Sequence, residues 1–262
     1  EDGFDITTTP CGPKGLCALA FALGEKGEPY DEKAVKLALG VPGLDVNMTY
    51  EWGQSWLWRQ CLLGRSRNVK LLLADPRVDP NLCDEDGATP LFVATGQGMY
   101  ACMELLLSDP RVDPNIASVN GNTPLYIAAQ LGMDRCVELF LGDKRVDVCQ
   151  ANLRGETPLV SACVQLMHSM DRVGAPEGND PARTLVIMLK SRRIPKHNLK
   201  DSIVFLGQFM PTRRQIDNAE AGGEPLESAE KVARLIIPVL MAQLKGEFRW
   251  CAHCLKLTPD VD

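Results

Sequence analysis

Residues 75–81 read DPRVDPN, and the same seven letters return at 109–115, which is 34 positions later. Each copy follows an apolar run, and Pro76 and Pro110 cannot continue a helix. We expect Val78 and Val112 to point back into a core, while the asparagine that ends each copy suits a turn. The heptapeptide therefore predicts one kind of exit loop that leaves a helix in two successive units.

A period of 34 residues extends from the heptapeptide in both directions. Gly-x-Thr-Pro-Leu begins at Gly87, Gly121 and Gly155, and a degenerate copy begins at Gly53. Further back, VKLALGVPGLDVN at 35–47 aligns with VKLLLADPRVDPN at 69–81. A period of this length is the signature of stacked units that bury their apolar faces against each other.

Within each unit the residue pattern predicts two helices. A threonine such as Thr89 can cap the first helix, and a proline such as Pro90 is tolerated at the first helical position. Small residues then allow close approach between neighbouring helices, and an apolar second helix follows. Glycine stands where a helix should end in a left-handed conformation, at Gly64, Gly98 and Gly132.

These recurring residues resemble the ankyrin repeat family, and the match covers residues 35–170. The resemblance implies an all-α solenoid of stacked helix-turn-helix units with short hairpin-like loops and helical caps. The family's histidine after Thr-Pro-Leu is replaced by Phe92, Tyr126 and Val160, so its hydrogen bonds between loops are not expected and looser loops are predicted. Each unit is one residue longer than the common repeat, and we expect the addition only to extend a surface turn.

The repeat pattern divides the chain into four parts. Residues 1–52 are expected to form a helical cap with a degenerate first repeat, from helices over 14–24 and 31–40. Repeats should occupy 53–197, starting near 53, 87, 121 and 155, with a loop inserted at 171–181. A helical cap at 198–250 and a tail at 251–262 complete the prediction.

The resemblance implies a non-catalytic module that binds a protein partner through its concave surface, as an adapter or as an accessory subunit of a larger assembly. Contact positions in the family lie beside the loop glycine and near the end of the first helix. Carried onto this sequence, they are Glu51, Trp52, Gln54, Leu62 and Leu63; Glu85, Asp86, Ala88 and Gln97; Val119, Asn120, Asn122, Gln130 and Leu131; Leu153, Arg154, Glu156 and Gln165.

Three of the four tryptophans fall within residues 52–58. Trp56 and Trp58 replace the motif's proline and histidine, so we expect them to pack between the cap and the second unit. Trp52 lies at a loop tip, where an exposed indole would anchor an interface. Packing of Trp52 against the cap is the alternative.

Composition narrows the function further. A net charge of −6 and an isoelectric point near 5.2 disfavour a broad nucleic-acid surface, which needs clustered positive charge. No apolar run is long enough to cross a bilayer, and no leader is recognisable. No serine or cysteine lies in a recognisable nucleophile motif, and no phosphate-binding loop or dinucleotide fingerprint is recognisable. No enzymatic activity is therefore predicted. The cysteines lie in apolar helical stretches, which favours packing roles and a reducing intracellular compartment.

Cys251 and Cys254 have the spacing of half a zinc site. They resemble the opening pair of a MYND-type zinc finger, which implies the alternative function of a zinc-finger regulatory protein. A pair without metal on a capping tail is the other interpretation, in which no cofactor is needed.

A basic stretch and a formal glycosylation triplet both have ordinary explanations. The stretch from Arg183 to Lys200 carries six basic residues and no acid, and a solvated face of a terminal unit is favoured over a site for an acidic partner. Asn47-Met48-Thr49 is formally a glycosylation acceptor that we attribute to chance.

Overall fold

The computed structural model describes residues 32–40, 44–49, 51–170, 179–191, 193–195, 248–251 and 256–259. The chain divides into two compact units, Glu1–Val119 and Asn120–Asp262. The predicted helix over 14–24, residues 198–247 of the predicted helical cap and residues 171–178 of the predicted insertion lie outside the described residues.

The described part of the first unit contains five α-helices: α1 (Glu32–Leu39), α2 (Trp56–Leu62), α3 (Ser66–Leu73), α4 (Pro90–Gly96) and α5 (Tyr100–Ser108). Helices α2 and α3 form one antiparallel pair, and α4 and α5 form the next. The first helices of these pairs, α2 and α4, pack on each other, and so do the second helices α3 and α5. Its core is apolar, with Trp56, Leu72 and Leu106 fully buried.

The second unit repeats this arrangement with α6 (Pro124–Gln130), α7 (Asp134–Gly142), α8 (Pro158–Met170) and α9 (Pro181–Lys190). Helix α6 packs on α8, and α7 packs on α9. Leu125, Phe140 and Leu185 are fully buried between the pairs. Paired helices with matching faces in successive repeats are the predicted all-α fold.

Helix starts and ends follow the predicted signals. The side-chain oxygens of Thr89 and Thr123 accept hydrogen bonds from the backbone amides three residues later, each at 3.1 Å. Gly64, Gly98 and Gly132 have φ of 67°, 66° and 68°. These left-handed glycines end the first helix of each pair as expected.

The exit loops do more than extend a turn. Arg111 pairs with Asp109 at 2.7 Å within its own heptapeptide. The same guanidinium donates to the carbonyl oxygens of Leu73, at 2.7 Å, and Val78, at 3.1 Å, in the preceding repeat. The extra residue of each unit is part of a loop that carries a clamp between repeats, so the prediction of a mere surface extension was wrong.

This arginine clamp recurs at the same position of other repeats. Arg77 pairs with Asp75 at 2.6 Å and donates to the carbonyl oxygen of Leu39. In the second unit, Arg193 donates to the carbonyl oxygens of Leu141, at 3.0 Å, and Asp143, at 2.7 Å. Carbonyl groups at the end of a helix have no partner within that helix, and these guanidinium groups supply donors there.

The asparagine of the heptapeptide forms a second bridge. Asn81 donates from Nδ2 to the carbonyl oxygen of Arg111 and accepts from the backbone amide of Asp113, both at 2.8 Å. Asn47 makes the same two contacts one repeat earlier, with Arg77 and Asp79. Because the amide nitrogen of Asn47 is used in this bridge, the fold gives this asparagine a role that does not involve a glycan.

Two short strands lie in the carboxyl-terminal tail. Strand β1 (Phe248–Cys251) pairs antiparallel with β2 (Lys256–Pro259), and Cys251 is in register with Lys256. The all-α prediction therefore applies to the repeats and not to this segment, where the predicted helical cap was extended to residue 250. Aromatic residues at Phe248 and Trp250 favour an extended strand over a helix.

Candidate functional site

In each unit, the candidate binding surface consists of the loop tips that precede the first helices of its repeats. In the tip at residues 84–88, the Asp84 carboxylate accepts hydrogen bonds from the backbone amides of Asp86, at 3.0 Å, and Ala88, at 2.8 Å. Asn152 does the same in the tip at 152–156, accepting from Arg154 and Glu156 at 2.9 and 3.0 Å. A short acidic or amide side chain thus stabilises the turn in these two tips.

Glycine is required at the tips for two reasons. Gly121 has φ of 76°, a conformation that other residues adopt only with strain. A Cβ atom at Gly121 would also lie 2.7 Å from the backbone nitrogen of Leu153 in the next tip. The predicted loop glycines therefore allow successive tips to approach each other closely.

Backbone hydrogen bonds join neighbouring tips. In the first unit, the amide of Glu85 donates to the carbonyl oxygen of Trp52, and the amide of Val119 donates to that of Asp86, each at 2.9 Å. In the second unit, the amide of Leu153 donates to the carbonyl oxygen of Asn120 at 3.2 Å. These bonds between tips are made by the backbone and do not use the exposed side chains of Trp52, Glu85 and Val119.

The residues that replace the family's histidine have compensated for its loss at two positions. Trp58 donates from Nε1 to the carbonyl oxygen of Ala88 at 3.1 Å. Tyr126 donates from its hydroxyl to the Glu156 carboxylate at 2.8 Å. Each bond links a first helix to the tip of the following repeat, so the prediction of looser loops was wrong there. Phe92 and Val160 carry no such donor.

Glu156 lies in a small polar network rather than on a bare surface. Its carboxylate accepts from Nδ2 of Asn152 at 3.0 Å as well as from Tyr126. These two hydrogen bonds lower the pKa of Glu156, while burial and the bond to Glu156 raise the pKa of Tyr126. Nδ2 of Asn152 also lies 3.1 Å from Oδ1 of Asn122. Glu156 and Asn122 thus contribute to the fold of the tip.

The structure separates the predicted contact positions into three groups. Exposed side chains are Trp52, Leu63, Glu85, Asp86 and Gln97, with Val119, in the first unit, and Asn120, Gln130, Leu131, Leu153 and Arg154 in the second. Partly buried side chains are Gln54, Leu62, Asn122, Glu156 and Gln165. Ala88 is buried, and its carbonyl already accepts from Trp58, so it is a poor contact residue. The side chain of Glu51 lies outside the described part of the structure.

The three clustered tryptophans have different environments. Trp56 and Trp58 are buried, as predicted. Trp52 is 68% exposed, so the alternative in which it packs against the cap is wrong. Its backbone has φ of 69°, and among the described residues no other non-glycine has a positive φ. A bulky residue in this conformation is a local strain in the backbone.

The cysteines of the helices are packing residues, in keeping with the prediction. Cys61, Cys102, Cys136 and Cys163 are all buried. Burial raises the pKa of Cys136 and of Cys163 to about 12, which leaves these thiols protonated at neutral pH. A protonated buried thiol is a poor nucleophile and a poor metal ligand.

The described residues contain neither a metal-binding cluster nor a membrane-spanning helix. Among the described residues, no cluster of three or more His, Cys, Asp or Glu side chains could hold a metal ion. Cys254 and the side chain of Cys251 are not among them, so the zinc hypothesis remains a prediction. Where the helices are described, none is long and apolar enough to span a membrane.

The basic stretch from Arg183 to Lys200 is partly used by the fold. Arg183 pairs with Asp134 at 2.9 Å and lies 3.6 Å from Glu138. Arg193 is the clamp on the carbonyls of α7 described above. Lys190 is exposed, whereas Arg192, Lys196 and Lys200 fall outside the described ranges.

Comparisons with known proteins agree with the repeat pattern. A family model described as ankyrin repeats in three copies matches residues 21–118, and a single ankyrin repeat model matches residues 120–153. The crystal structure of EF0377, an ankyrin repeat protein, is similar to this chain with a TM-score of 0.55 and 25% identity, over 68% of this chain and 82% of that one. No curated protein sequence matches significantly. The chain belongs to the ankyrin repeat family.

Proposed function

We propose that this protein is a non-catalytic binding module that captures a protein partner through its loop tips, either as an adapter or as an accessory subunit of a larger assembly. Ankyrin repeats are protein–protein interaction modules. One observation supports the loop tips as the contact surface. Backbone hydrogen bonds join the tips, and their large apolar side chains point into solvent, with Leu153 79% and Trp52 68% exposed.

The composition of the exposed side chains favours recognition of a protein. Interface centres are rich in aromatic and aliphatic anchors surrounded by polar groups. Trp52, Val119 and Leu153 are such anchors. Backbone hydrogen bonds join the exposed Glu85 to Trp52 and the exposed Asp86 to Val119, and the exposed Arg154 follows Leu153 in sequence. The repeated geometry of the tips suits an extended contact.

Quantitative co-purification from the native source tests the proposal. The chain is compared with Trp52→Ala and Leu153→Glu as tip variants, and with Leu37→Ala and Glu104→Lys as controls on exposed helical positions. We expect the tip variants to lose the same co-purifying protein while both controls retain it, with melting temperatures within a few degrees of each other. Retention by every variant, or loss by the controls as well, would contradict a partner site at the tips.

The zinc-finger alternative has one structural observation in its favour. Strands β1 and β2 pair across the segment that contains Cys251 and Cys254, which brings the two ends of that segment together. Elemental analysis of protein purified without chelator tests it. One zinc ion per chain that is lost in the Cys251→Ser and Cys254→Ser variants would support the finger, whereas metal-free protein would exclude it.

A further inference from the structure

The strained and exposed Trp52 calls for an explanation outside the fold. Its indole is 68% exposed, and φ of 69° places its backbone where glycine is normally found. The positions one, two and three repeats later are Asp86, Asn120 and Arg154, and none of these has a positive φ. Strain of this kind persists where surrounding structure holds it in place, and it is concentrated at ligand contacts.

Hydrogen bonds place three other exposed residues beside Trp52. The carbonyl oxygen of Trp52 accepts from Glu85, and that of Asp86 accepts from Val119, so the order across the tips is Trp52, Glu85, Asp86 and Val119. Both ends of this row are apolar and largely exposed, with Val119 at 58%. We call these four residues the tip patch.

Charge defines the chemistry that the tip patch accepts. The tips at 50–54, 83–88 and 117–119 contain four acidic residues, Glu51, Asp84, Glu85 and Asp86, and no lysine or arginine. Two of the four, Glu85 and Asp86, lie exposed between the apolar ends of the patch. An acidic partner would meet only like charge here.

We propose that the tip patch binds an extended segment of a partner protein whose patch-facing side chains are two basic residues followed by an apolar one. This assignment rests on the proposed function and adds the chemical class of the partner. A guanidinium or ammonium group of the segment stacks on the Trp52 indole, because the face of an aromatic ring attracts cations. A second basic residue pairs with Glu85 or Asp86, and an apolar side chain contacts Val119. Arginine suits the first position better than lysine because its planar group stacks on rings.

A labelled peptide with two arginines and then a leucine at every second position, and serine between them, is the direct probe, measured by fluorescence polarisation against the full chain. We expect saturable binding that weakens as salt is raised, since exposed charge pairs are screened. The same peptide with glutamate in place of every arginine should not bind. Equal binding of both peptides would overturn the assignment.

Two variants with matched controls separate a specific site from general acidity. Trp52→Gly removes the indole while keeping the charge and easing the backbone, so its binding loss is not caused by unfolding. We expect about tenfold weaker binding, the loss typical of an interface anchor, and no loss for Leu37→Ala. Asp86→Lys should weaken binding more than Glu104→Lys, which makes the same charge change on the exposed face of α5. Unchanged affinity in Trp52→Gly, or equal losses for Asp86→Lys and Glu104→Lys, would overturn the site.

Competition distinguishes this assignment from the broader function. If the arginine–leucine peptide displaces the protein that co-purifies through the tips, both proposals are supported. If the partner depends on the tips but is not displaced, the basic segment is wrong and the protein-binding function stands. Self-association that depends on Trp52, detected by light scattering, would show a second copy as the occupant and would also overturn it.

Discussion

Exit loops and loop tips are both repeated in this protein, but they use their side chains in opposite ways. The exit loops at 75–81 and 109–115 are identical, and their arginine side chains bridge to the preceding repeat. Arg111 contacts Asp109 and the carbonyl oxygens of Leu73 and Val78. At the tips, backbone groups and partly buried side chains make the bonds between repeats, and the exposed side chains differ from one repeat to the next. Trp52, Asp86, Asn120 and Arg154 share one repeat position.

The comparison separates residues that hold the stack from residues that are available to a partner. A side chain that bridges repeats must keep its length, charge and geometry, so the sequence that contains it returns unchanged. A side chain on a tip whose backbone already makes the bridge can take any chemistry. Variation at a fixed position of a regular repeat therefore supports the recognition surface that we propose for this chain.

The largest expected effect comes from removing a clamp. Arg111→Ala should lower the free energy of unfolding of the first unit by about 3 kcal/mol, because several charge-assisted hydrogen bonds are lost and a partly buried carboxylate is left behind. Arg67→Ala, at an exposed position of α3, is the control and should stay within about 0.5 kcal/mol of the parent. Urea unfolding monitored by circular dichroism measures both. Equal stability of the two variants would show that the clamp adds nothing.

Next in size is a substitution at a tip glycine. Gly121→Ala should cost about 2 kcal/mol, since alanine is strained at φ of 76° and its Cβ would lie 2.7 Å from the nitrogen of Leu153. Gly142→Ala, at the end of α7 where nothing lies within 4 Å of an added Cβ, should be neutral or stabilising by about 0.5 kcal/mol. Thermal unfolding of both variants tests the pair. A harmless Gly121→Ala would mean that the tips are not closely held by their backbones.

A smaller effect of opposite sign is expected at Trp52. Trp52→Gly should raise the free energy of unfolding by about 0.5 kcal/mol, because relief of the left-handed strain exceeds the greater entropy of unfolded glycine. Leu37→Gly, also at an exposed apolar position but within α1, should instead lower it by about 1 kcal/mol. Denaturant midpoints give both values. A destabilised Trp52→Gly would indicate that the indole supports the fold, which contradicts its place on the recognition side of the comparison.

The smallest expected effect is a pH dependence at Glu156. Hydrogen bonds from Asn152 and Tyr126 lower the pKa of this carboxyl in the folded protein, so its stabilisation is present above the ordinary value of about 4.3 and is lost as pH falls through the folded value. Glu156→Gln keeps an acceptor for Tyr126 but does not titrate. It should be a few tenths of a kcal/mol less stable than the parent at neutral pH, with the difference closing in acid. If the stability difference between Glu156→Gln and the parent did not change with pH, ionisation of the Glu156 carboxyl would not contribute to stability.

Much of the fold was predictable because its signals are local and repeated. Threonine caps, proline at the first helical position and left-handed glycines act within a few residues. Their recurrence at intervals of 34 residues made the pattern unambiguous. The buried state of Trp56 and Trp58 followed from the same register. Ala88 was misplaced on the binding surface because register gives a position along the chain but not the exposure of its side chain.

The bridging roles of Arg77, Arg111 and Asn81 were missed although their recurrence was visible. The two residues of each bridge are separated in sequence by about one repeat. They come into contact only when neighbouring repeats stack. Likewise, Trp58 and Tyr126 were seen only as departures from histidine. Their hydrogen bonds to the next tip depend on where an indole nitrogen or a phenol hydroxyl reaches, which residue type alone does not specify.

By itself, the sequence determined the family and the helix pairs of the repeats, because those depend on backbone preferences expressed over a few residues. Only the tertiary structure decided which charged side chains bridge neighbouring repeats and which remain exposed to solvent. That division depends on distances between groups some 30 residues apart, and such distances exist only once neighbouring helix pairs have packed.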